Sequence, residues 1–237
     1  MLKLEDLTVR FGGLTAVNSV SLSVGTHEIM GLVGPNGAGK TTLFNAISGL
    51  VRPSGGRILF NSANIVRSPL HRRARMGIGR TFQVPQPMQG LTVRENLIVA
   101  QRFGAGRVDD ARLDEILHLT NLSDKAECEA ATQLALTELK ALEVAKALVT
   151  EPKLLMLDEV LAGLETAGKQ RFMLMLKALH ARFALGILVI EHDIETVSNF
   201  CDRVAVLEYG ELIADGTPAD VFKDPRVIKS YTGAEHA

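Results

Sequence analysis

Tryptophan is absent from this 237-residue sequence, and there are only two cysteines and two tyrosines. Cys128 and Cys201 lie far apart and form no CxxC pair, which argues against a zinc site and against a disulfide framework. A reducing compartment fits this cysteine usage best.

Long apolar runs are missing as well. A membrane-spanning helix needs roughly 20 consecutive apolar residues, whereas the best candidates here are short pieces such as Leu185 to Ile190. Near the N-terminus, Glu5 and Asp6 stand where a signal peptide would have an apolar stretch. We therefore expect any role at a membrane to depend on a partner protein.

Neither sign of charge is in excess. The 26 basic and 27 acidic residues give a formal net charge of −1, so no overall field steers the protein towards nucleic acid, and we expect no nucleic-acid partner. The apolar fraction of 46% and the charged fraction of 22% are typical of a globular protein. The length suits one large domain, or a core that carries an inserted subdomain.

Strand-like and helix-like runs alternate in the first and last thirds of the sequence. The patterns predict strands at 2–10, 20–24, 28–33, 57–60, 153–157 and 185–190, helices at 40–50 and 167–182, and a hairpin over 204–213 that turns at Tyr209-Gly210. Residues 68–90 are predicted to be a connector, and residues 92–150 to be helical with a loop at 103–106. This alternation predicts an α/β fold with a mostly parallel sheet.

A glycine-rich loop follows the strand-like run 28–33. Its sequence, Gly34-Pro35-Asn36-Gly37-Ala38-Gly39-Lys40-Thr41, matches the phosphate-binding pattern GxxxxGK[ST] between a strand and a helix. Glycines let the backbone curl around phosphates and point its N–H groups inward at a helix N-terminus. Lys40 would reach the β- and γ-phosphates, and the Thr41 hydroxyl would bind Mg²⁺. The alternative is a glycine-rich turn that matches by chance.

Two acids end the apolar run 153–157. Because a parallel strand ends at the ligand crevice of such a sheet, Asp158 would hold Mg²⁺ through water. Glu159 would be the general base that orients and deprotonates an attacking water in phosphoryl transfer. The alternative is that both acids cap the next helix.

Over essentially its whole length, the sequence resembles the ABC ATPases. The family's other landmarks occur in order: Phe11 where an aromatic ring stacks on adenine, Gln83 as the Q-loop glutamine that meets Mg²⁺ and the water, His192 as the switch histidine, and 162–165 as the D-loop that faces the partner subunit. Taken alone, Phe11 would be a core residue and His192 would make a local hydrogen bond.

The resemblance implies a fold, cofactors and a set of site residues. The fold would be one nucleotide-binding domain of the P-loop NTPase (RecA-like) type with an N-terminal antiparallel β subdomain, an ATP-binding core at 1–84 and 151–237, and an inserted helical subdomain at 85–150. The cofactors would be ATP and Mg²⁺. The implied site residues are Glu159, His192 and Gln83 for catalysis, Thr41, Gln83 and Asp158 for the metal, and Phe11, Gly34, Pro35, Asn36, Gly37, Ala38, Gly39, Lys40, Thr41 and Thr42 for the nucleotide.

One family landmark is replaced. ABC ATPases hydrolyse as head-to-tail dimers, in which a Leu-Ser-Gly-Gly-Gln signature of one subunit caps the γ-phosphate held by the other. Here Leu134-Ala135-Leu136-Thr137-Glu138 takes its place. Bulky side chains would block the approach to the helix N-terminus. A carboxylate ~5 Å from a phosphate charge also costs about 3 kcal/mol at an effective dielectric of about 20.

We therefore expect an asymmetric heterodimer with a sister ATPase, in which only the nucleotide held by this chain's own loop turns over well. A second copy of this chain is the alternative partner. The other interpretation of the region is a plain helix start on the solvent side, with Thr137 as its N-cap.

Three segments, 11–17, 74–83 and 216–231, resemble the ATP-binding subunits of branched-chain amino acid importers. This implies ATP hydrolysis coupled to uptake of branched-chain or other hydrophobic amino acids. The implied partners are integral-membrane permease subunits and, indirectly, an extracytoplasmic solute-binding protein. The implied location is the cytoplasmic face of the inner (plasma) membrane, held there by the permeases, with docking expected at residues 83–96.

Other functions stay open at this point. They include urea or amide uptake, lipopolysaccharide-type export, and a regulatory subunit that binds ATP but hydrolyses it weakly, which only the altered signature supports. An ABC ATPase acting on DNA or ribosomes would need a long coiled-coil insertion or a second nucleotide domain, and 237 residues hold neither.

Overall fold

The computed structural model describes residues 1–232, which alternate between strands and helices. The strands are β1 (Leu2–Phe11), β2 (Leu14–Val24), β3 (Ile29–Val33), β4 (Gly55–Phe60), β5 (Ala63–Asn64), β6 (Ile78–Arg80), β7 (Leu154–Asp158), β8 (Gly186–Ile190), β9 (Arg203–Glu208) and β10 (Glu211–Gly216). The helices are α1 (Lys40–Ser48), α2 (Leu70–Arg75), α3 (Val93–Gly104), α4 (Asp110–Leu119), α5 (Ala130–Gln133), α6 (Leu136–Leu148), α7 (Thr166–Phe183), α8 (Ile194–Phe200), α9 (Pro218–Val221) and α10 (Pro225–Thr232).

The chain divides into two compact units, one made of residues 1–73 together with those from 186 onward, the other of residues 74–185. In the first unit, β1 pairs antiparallel with both β2 and β4. A second set of strands has β3 parallel to both β8 and β9, with β10 antiparallel to β9. Every residue of β3 and β8 is buried, as expected for parallel strands covered on both faces.

The second unit contains the parallel pair β6 and β7 and the helices α3 to α7. α3 begins with a capping box, in which the Thr92 side chain accepts from the Glu95 N–H and the Glu95 carboxylate accepts from the Thr92 N–H. α6 is buried nearly all round, with Leu142, Val144 and Leu148 fully inaccessible to solvent. Within residues 1–232, no helix is both long and apolar enough to cross a bilayer.

The α/β class, the mostly parallel strand pairing and the N-terminal antiparallel sheet are confirmed. The predicted hairpin also turns at Tyr209-Gly210, between β9 and β10. The connector predicted over 68–90 is wrong in part, because it contains α2 and β6. Both elements are short, so neither develops a readable hydrophobic period. The division into an ATP-binding core and a helical subdomain from 85 to 150 stays a prediction.

Two element boundaries differ from the patterns for a physical reason. β2 begins at Leu14 rather than at residue 20. Phe11 pairs with Leu14 across a tight turn, so the pairing of β1 with β2 continues to the turn itself. α3 runs to Gly104, into the predicted loop, where its C-cap N–H at Ala105 donates to the Gln101 carbonyl. In both cases a backbone hydrogen bond extends an element past the point where its side-chain pattern ends.

Arg73 is a fully buried cation that binds the C-terminal end of α1. Its Nη1 donates to the carbonyls of Ala46 and Ile47, each at 2.7 Å, at the last turn of that helix. Its Nε donates to the Ser68 carbonyl at 2.8 Å, and its Nη2 to the Val66 carbonyl at 3.1 Å. Burial lowers the pKa of Arg73 to about 10, so the guanidinium is still charged at neutral pH and complements the helix dipole.

Replacing Arg73 by methionine should lower the free energy of unfolding by about 3 kcal/mol, because buried carbonyls lose their donors. Urea denaturation measures this change. Arg72→Met is the matched control, because Arg72 is exposed on the same helix and its loss should change stability by about 0.5 kcal/mol or less. Equal effects of the two substitutions would contradict the role assigned to Arg73.

Candidate functional site

The glycine-rich loop lies between the buried strand β3 and α1, in the first unit. Gly34 has φ +141° and Gly39 has φ +99°, backbone conformations that residues with side chains rarely adopt. A Cβ at Gly34 would collide with the Leu207 carbonyl, and one at Gly39 with the Ala16 carbonyl. Both positions therefore require glycine.

Lys40 is the first residue of α1, and its side chain turns back into the loop. Its Nζ donates to the carbonyls of Gly34 at 2.7 Å and Pro35 at 2.9 Å, although the residue is buried. Thr41 is exposed in the first turn of the helix. The loop thus presents a helix N-terminus, an ammonium group and a hydroxyl at one place, which is the chemistry that binds phosphate.

The hairpin β1–β2 lies against this loop. The Ala16 carbonyl approaches both Gly39 and Gly210, and the Gly210 N–H donates to the Ala38 carbonyl at 3.0 Å. Phe11, at the end of β1, is 50% exposed, so it is not the core residue that the alternative interpretation required. An exposed ring beside a phosphate loop is available to stack on a base.

His192 lies two residues after the end of β8 and is exposed. Because β3 and β8 are parallel, with Leu32 opposite Ile190, the phosphate loop and His192 leave the sheet at the same edge. Asp193 caps α8, and its side chain accepts from the N–H groups of Glu195 and Thr196.

The two acids end β7, in the second unit. Asp158 Oδ2 lies 3.0 Å from Arg80 Nη2, and the two side chains are only 7% and 6% exposed. The Asp158 N–H donates to Thr81 Oγ1 at 3.2 Å, and the Thr81 N–H donates to the Met156 carbonyl at 2.9 Å. β6 and β7 are parallel, which is why Arg80 and Asp158 reach the same edge.

Burial dominates the electrostatics of this pair. Desolvation raises the pKa of Asp158, and Arg80 opposes that rise by attraction and by its hydrogen bond. Desolvation also lowers the pKa of Arg80, with Asp158 opposing that change. Each charge is therefore costly to bury alone and is held by the other.

Gln83 and Glu159 are brought together. Gln83 Nε2 donates to Glu159 Oε2 at 2.7 Å, on the segment that follows β6. Glu159 has φ +49°, an unfavourable backbone conformation for a residue with a side chain. It does not cap the next helix, because α7 begins at Thr166 with Glu165 as its N-cap. The interpretation of the two acids as helix caps is therefore wrong.

The segment that replaces the signature forms the start of α6. Thr137 is not its N-cap, because the helix begins at Leu136 and the cap position is Ala135, which has no side-chain oxygen. Instead the Glu138 carboxylate accepts from the Ala135 N–H at 2.8 Å and lies 3.6 Å from Lys125 Nζ. The Glu138 carboxylate therefore caps the N-terminus of its own helix. This contact weakens the repulsion between Glu138 and phosphate that the sequence led us to expect.

Sequence patterns missed Arg80 and Thr81 as parts of the acid site, although both stand just before Gln83. A basic residue inside an apolar run is the one sequence feature that points to a buried ion pair. Its partner could not be inferred, because the two residues lie far apart in sequence and meet only through strand pairing.

A glycine loop that encloses a lysine at a helix N-terminus, at the carboxyl edge of parallel strands, defines a P-loop nucleotide-binding protein. The family model described as ABC transporter matches residues 17–162. The chain belongs to the ABC transporter family, as one of its ATP-binding subunits, which are ATPases. A second model, described as branched-chain amino acid ATP-binding cassette transporter, matches residues 211–237.

Characterised relatives are similar over nearly their full length. The chain is 37% identical to the high-affinity branched-chain amino acid transport ATP-binding protein BraF of Pseudomonas aeruginosa, and 38% identical to the corresponding LivG protein of Escherichia coli. Each match covers 98% of both proteins. A solved ATP-binding cassette of an ABC transporter, in its ADP conformation, has a TM-score of 0.89 at 30% identity and covers 98% of both chains.

Breaking the buried pair should destabilise the protein. Arg80→Met and Asp158→Asn should each cost about 4 kcal/mol, because each leaves a buried charge without its partner. The double variant should lose less than the sum, with a coupling of about 2 kcal/mol in urea denaturation. As a control, Arg57→Met removes the exposed partner of Glu5 and should change stability far less than either of these substitutions. Strictly additive losses at Arg80 and Asp158 would show that the pair contributes nothing.

Proposed function

We propose that this chain binds and hydrolyses ATP as a subunit of an importer for branched-chain or other hydrophobic amino acids. The observation that carries the nucleotide part is the phosphate loop, in which Gly34 and Gly39 leave no room for a side chain and Lys40 points inward. Pro35, Asn36, Gly37, Ala38, Thr41 and Thr42 complete the loop, and Phe11 stacks on the adenine.

Mg²⁺ would be held by few protein oxygens, which suits its preference for water and phosphate ligands. The Thr41 hydroxyl would supply one ligand, and Asp158 and Gln83 would act at the metal, Asp158 through water. Within residues 1–232, no three His, Cys, Asp or Glu side chains form a metal cluster. Water and phosphate oxygens would supply the other ligands of the ion. When bound, the ion supplies charge neutralisation for the phosphates.

Glu159 acts as the general base in this proposal. Its carboxylate takes the proton from the attacking water, while Gln83 orients both the carboxylate and the water. The hydrogen bond of 2.7 Å between the two side chains supports this pairing. His192 contacts the γ-phosphate from the same sheet edge as the phosphate loop. Phosphoryl transfer needs positioning and charge stabilisation more than covalent chemistry, and these residues supply both.

Two variants test binding and hydrolysis separately. Lys40→Ala should weaken Mg-ATP affinity by about tenfold or more, because one charge-assisted phosphate contact is lost. Glu159→Gln should keep that affinity but lower turnover by about 100-fold or more. A fluorescent ATP analogue measures affinity, and phosphate release by the complete transporter measures turnover.

Lys3→Ala and Glu127→Gln, both exposed, are the matched controls for these two variants. Full turnover by the Glu159 variant would remove it as the base, and unchanged affinity of the Lys40 variant would overturn the assignment of the loop.

The transport part rests on the relatives' names and on the match of residues 211–237. That second match favours amino acid import over lipopolysaccharide-type export and over uptake of urea or amides. The partners would be integral-membrane permease subunits and, indirectly, an extracytoplasmic solute-binding protein. The permeases would hold the chain at the cytoplasmic face of the inner (plasma) membrane.

The permeases would dock on residues 83–96. This segment lacks regular structure up to Thr92 and exposes Val84, beside the exposed ring of Phe82. Its backbone is held by side chains of the second unit, since Glu143 accepts from the Gln86 N–H and Asn96 from the Met88 N–H. An exposed apolar segment with a fixed backbone is suited to receive a partner helix.

The altered signature supports an asymmetric pair with a sister ATPase, with a second copy of this chain as the alternative. Leu136 is exposed at the first position of α6, where the signature would have a glycine. The Glu138 carboxylate is hydrogen-bonded to the Ala135 N–H at the N-terminus of its own helix. The side chains that would obstruct the approach of the partner's phosphate are therefore mainly those of Leu136 and Thr137. Only the nucleotide on this chain's own loop would then meet an intact signature.

Asymmetry has a direct test in the assembled transporter. Glu159→Gln in this chain should abolish most of the turnover, and the equivalent change in the sister ATPase should leave most of it, because only one site is competent. Replacing 135–138 by Ser-Gly-Gly-Gln should raise turnover by making the second site competent. An assembly that keeps half its rate after Glu159→Gln has two working sites and refutes the asymmetry.

A further inference from the structure

Lys140 is a second buried cation of the 74–185 unit that sequence patterns did not single out. It lies on α6, two residues after the segment that replaces the signature, and is 5% exposed. Its Nζ donates to the carbonyls of Val160 at 3.0 Å and Ala162 at 2.5 Å, with the Glu159 carbonyl at 3.4 Å. An ammonium group has three N–H donors, and three carbonyls surround this one.

These carbonyls belong to the loop that follows β7. The loop is buried, since Val160, Leu161 and Leu164 are all nearly inaccessible to solvent. Its backbone is irregular, with one turn closed by the Ala162 N–H on the Glu159 carbonyl at 3.1 Å. Buried carbonyls outside regular structure need donors, and Lys140 provides them here.

The loop also sets the direction of the Glu159 side chain. Glu159 holds an unfavourable φ of +49°, which persists only where surrounding contacts maintain it. Gln83 donates to the side-chain carboxylate of Glu159. Lys140 donates to the backbone carbonyls of Glu159, Val160 and Ala162. Glu159 is therefore fixed from both sides by contacts within one unit.

We infer that Lys140 is a positioning residue for hydrolysis, which holds the backbone from Glu159 to Ala162 in the conformation that aims the Glu159 carboxylate. This inference rests on the proposed role of Glu159 as the base. In this inference Lys140 acts through the loop and takes no part in the chemical step itself. Because the same side chain joins the first turns of α6 to this loop, it also makes the base depend on the helix that carries the altered signature.

Lys140→Met tests the inference, because methionine keeps the apolar stem and removes every donor. Turnover by the complete transporter should fall about 100-fold, as expected when a catalytic group is misplaced by about 1 Å. Affinity for the ATP analogue should stay within about twofold, because the phosphate loop belongs to the other unit. Lys140→Arg, which keeps the charge and the donors, should recover most of the turnover.

The matched control is Lys177→Met. Lys177 is exposed on α7 of the same unit and has no part in the proposed site or docking segment. Its loss should change turnover by less than about twofold, since an exposed side chain remote from the base does not affect the chemical step.

Several outcomes would overturn the inference: unchanged turnover in Lys140→Met, a parallel loss of nucleotide affinity, no recovery with arginine, or an equal loss in Lys177→Met. If circular dichroism shows that Lys140→Met does not fold, Lys140→Gln replaces it, because glutamine is uncharged and one bond shorter, so it loses the contacts with the loop carbonyls while its amide limits the loss of stability. In that variant too, lower turnover with unchanged affinity for the ATP analogue is the expected result, and unchanged turnover would overturn the inference. A Glu159→Gln transporter with full turnover would instead refute the proposed base, whatever Lys140 does.

Discussion

The phosphate loop can curl only because Gly34 and Gly39 have no side chain. Both have positive φ, and each has a carbonyl of a neighbouring segment where a Cβ would stand. That close approach places the β1–β2 hairpin, and with it Phe11, beside the loop. It also lets Lys40 turn back over the loop carbonyls from the first position of α1. The binding chemistry of the first unit therefore depends on the absence of two β-carbons.

Buried cations perform a related task elsewhere. Arg73 ends α1 by donating to the carbonyls of its last turn, so the helix that starts in the phosphate loop is fixed at its other end. Arg80 neutralises Asp158, and Lys140 holds the loop after Glu159. Each cation is costly to bury, and each offsets that cost with several charge-assisted hydrogen bonds. The result is that the segments carrying the site have few alternative conformations.

The structure changes the interpretation of the segment that replaces the signature. The sequence suggested repulsion between Glu138 and a phosphate, whereas the carboxylate closes the N-terminus of α6 and lies near Lys125. The helix thus retains a well-formed start without a signature serine or glycine. What it has lost is open access to its first N–H groups, now beside the exposed Leu136 side chain. A helix can keep its stability while losing the backbone access that anion binding requires.

Local sequence patterns were enough to predict the α/β class, the position of the glycine loop and two acids at a strand end, because apolar runs, glycine spacing and strand-end acids can all be read locally. Short elements such as α2 and β6 could not be predicted, because their runs are too brief to show a period. Nor could local patterns show which charges meet. Arg80 reaches Asp158 through the pairing of β6 with β7, and Lys140 reaches the loop after Glu159 through the packing of α6. The physical reason is that a buried charge is stable only with its partners, and those partners are set by strand register and helix packing rather than by neighbours in the sequence.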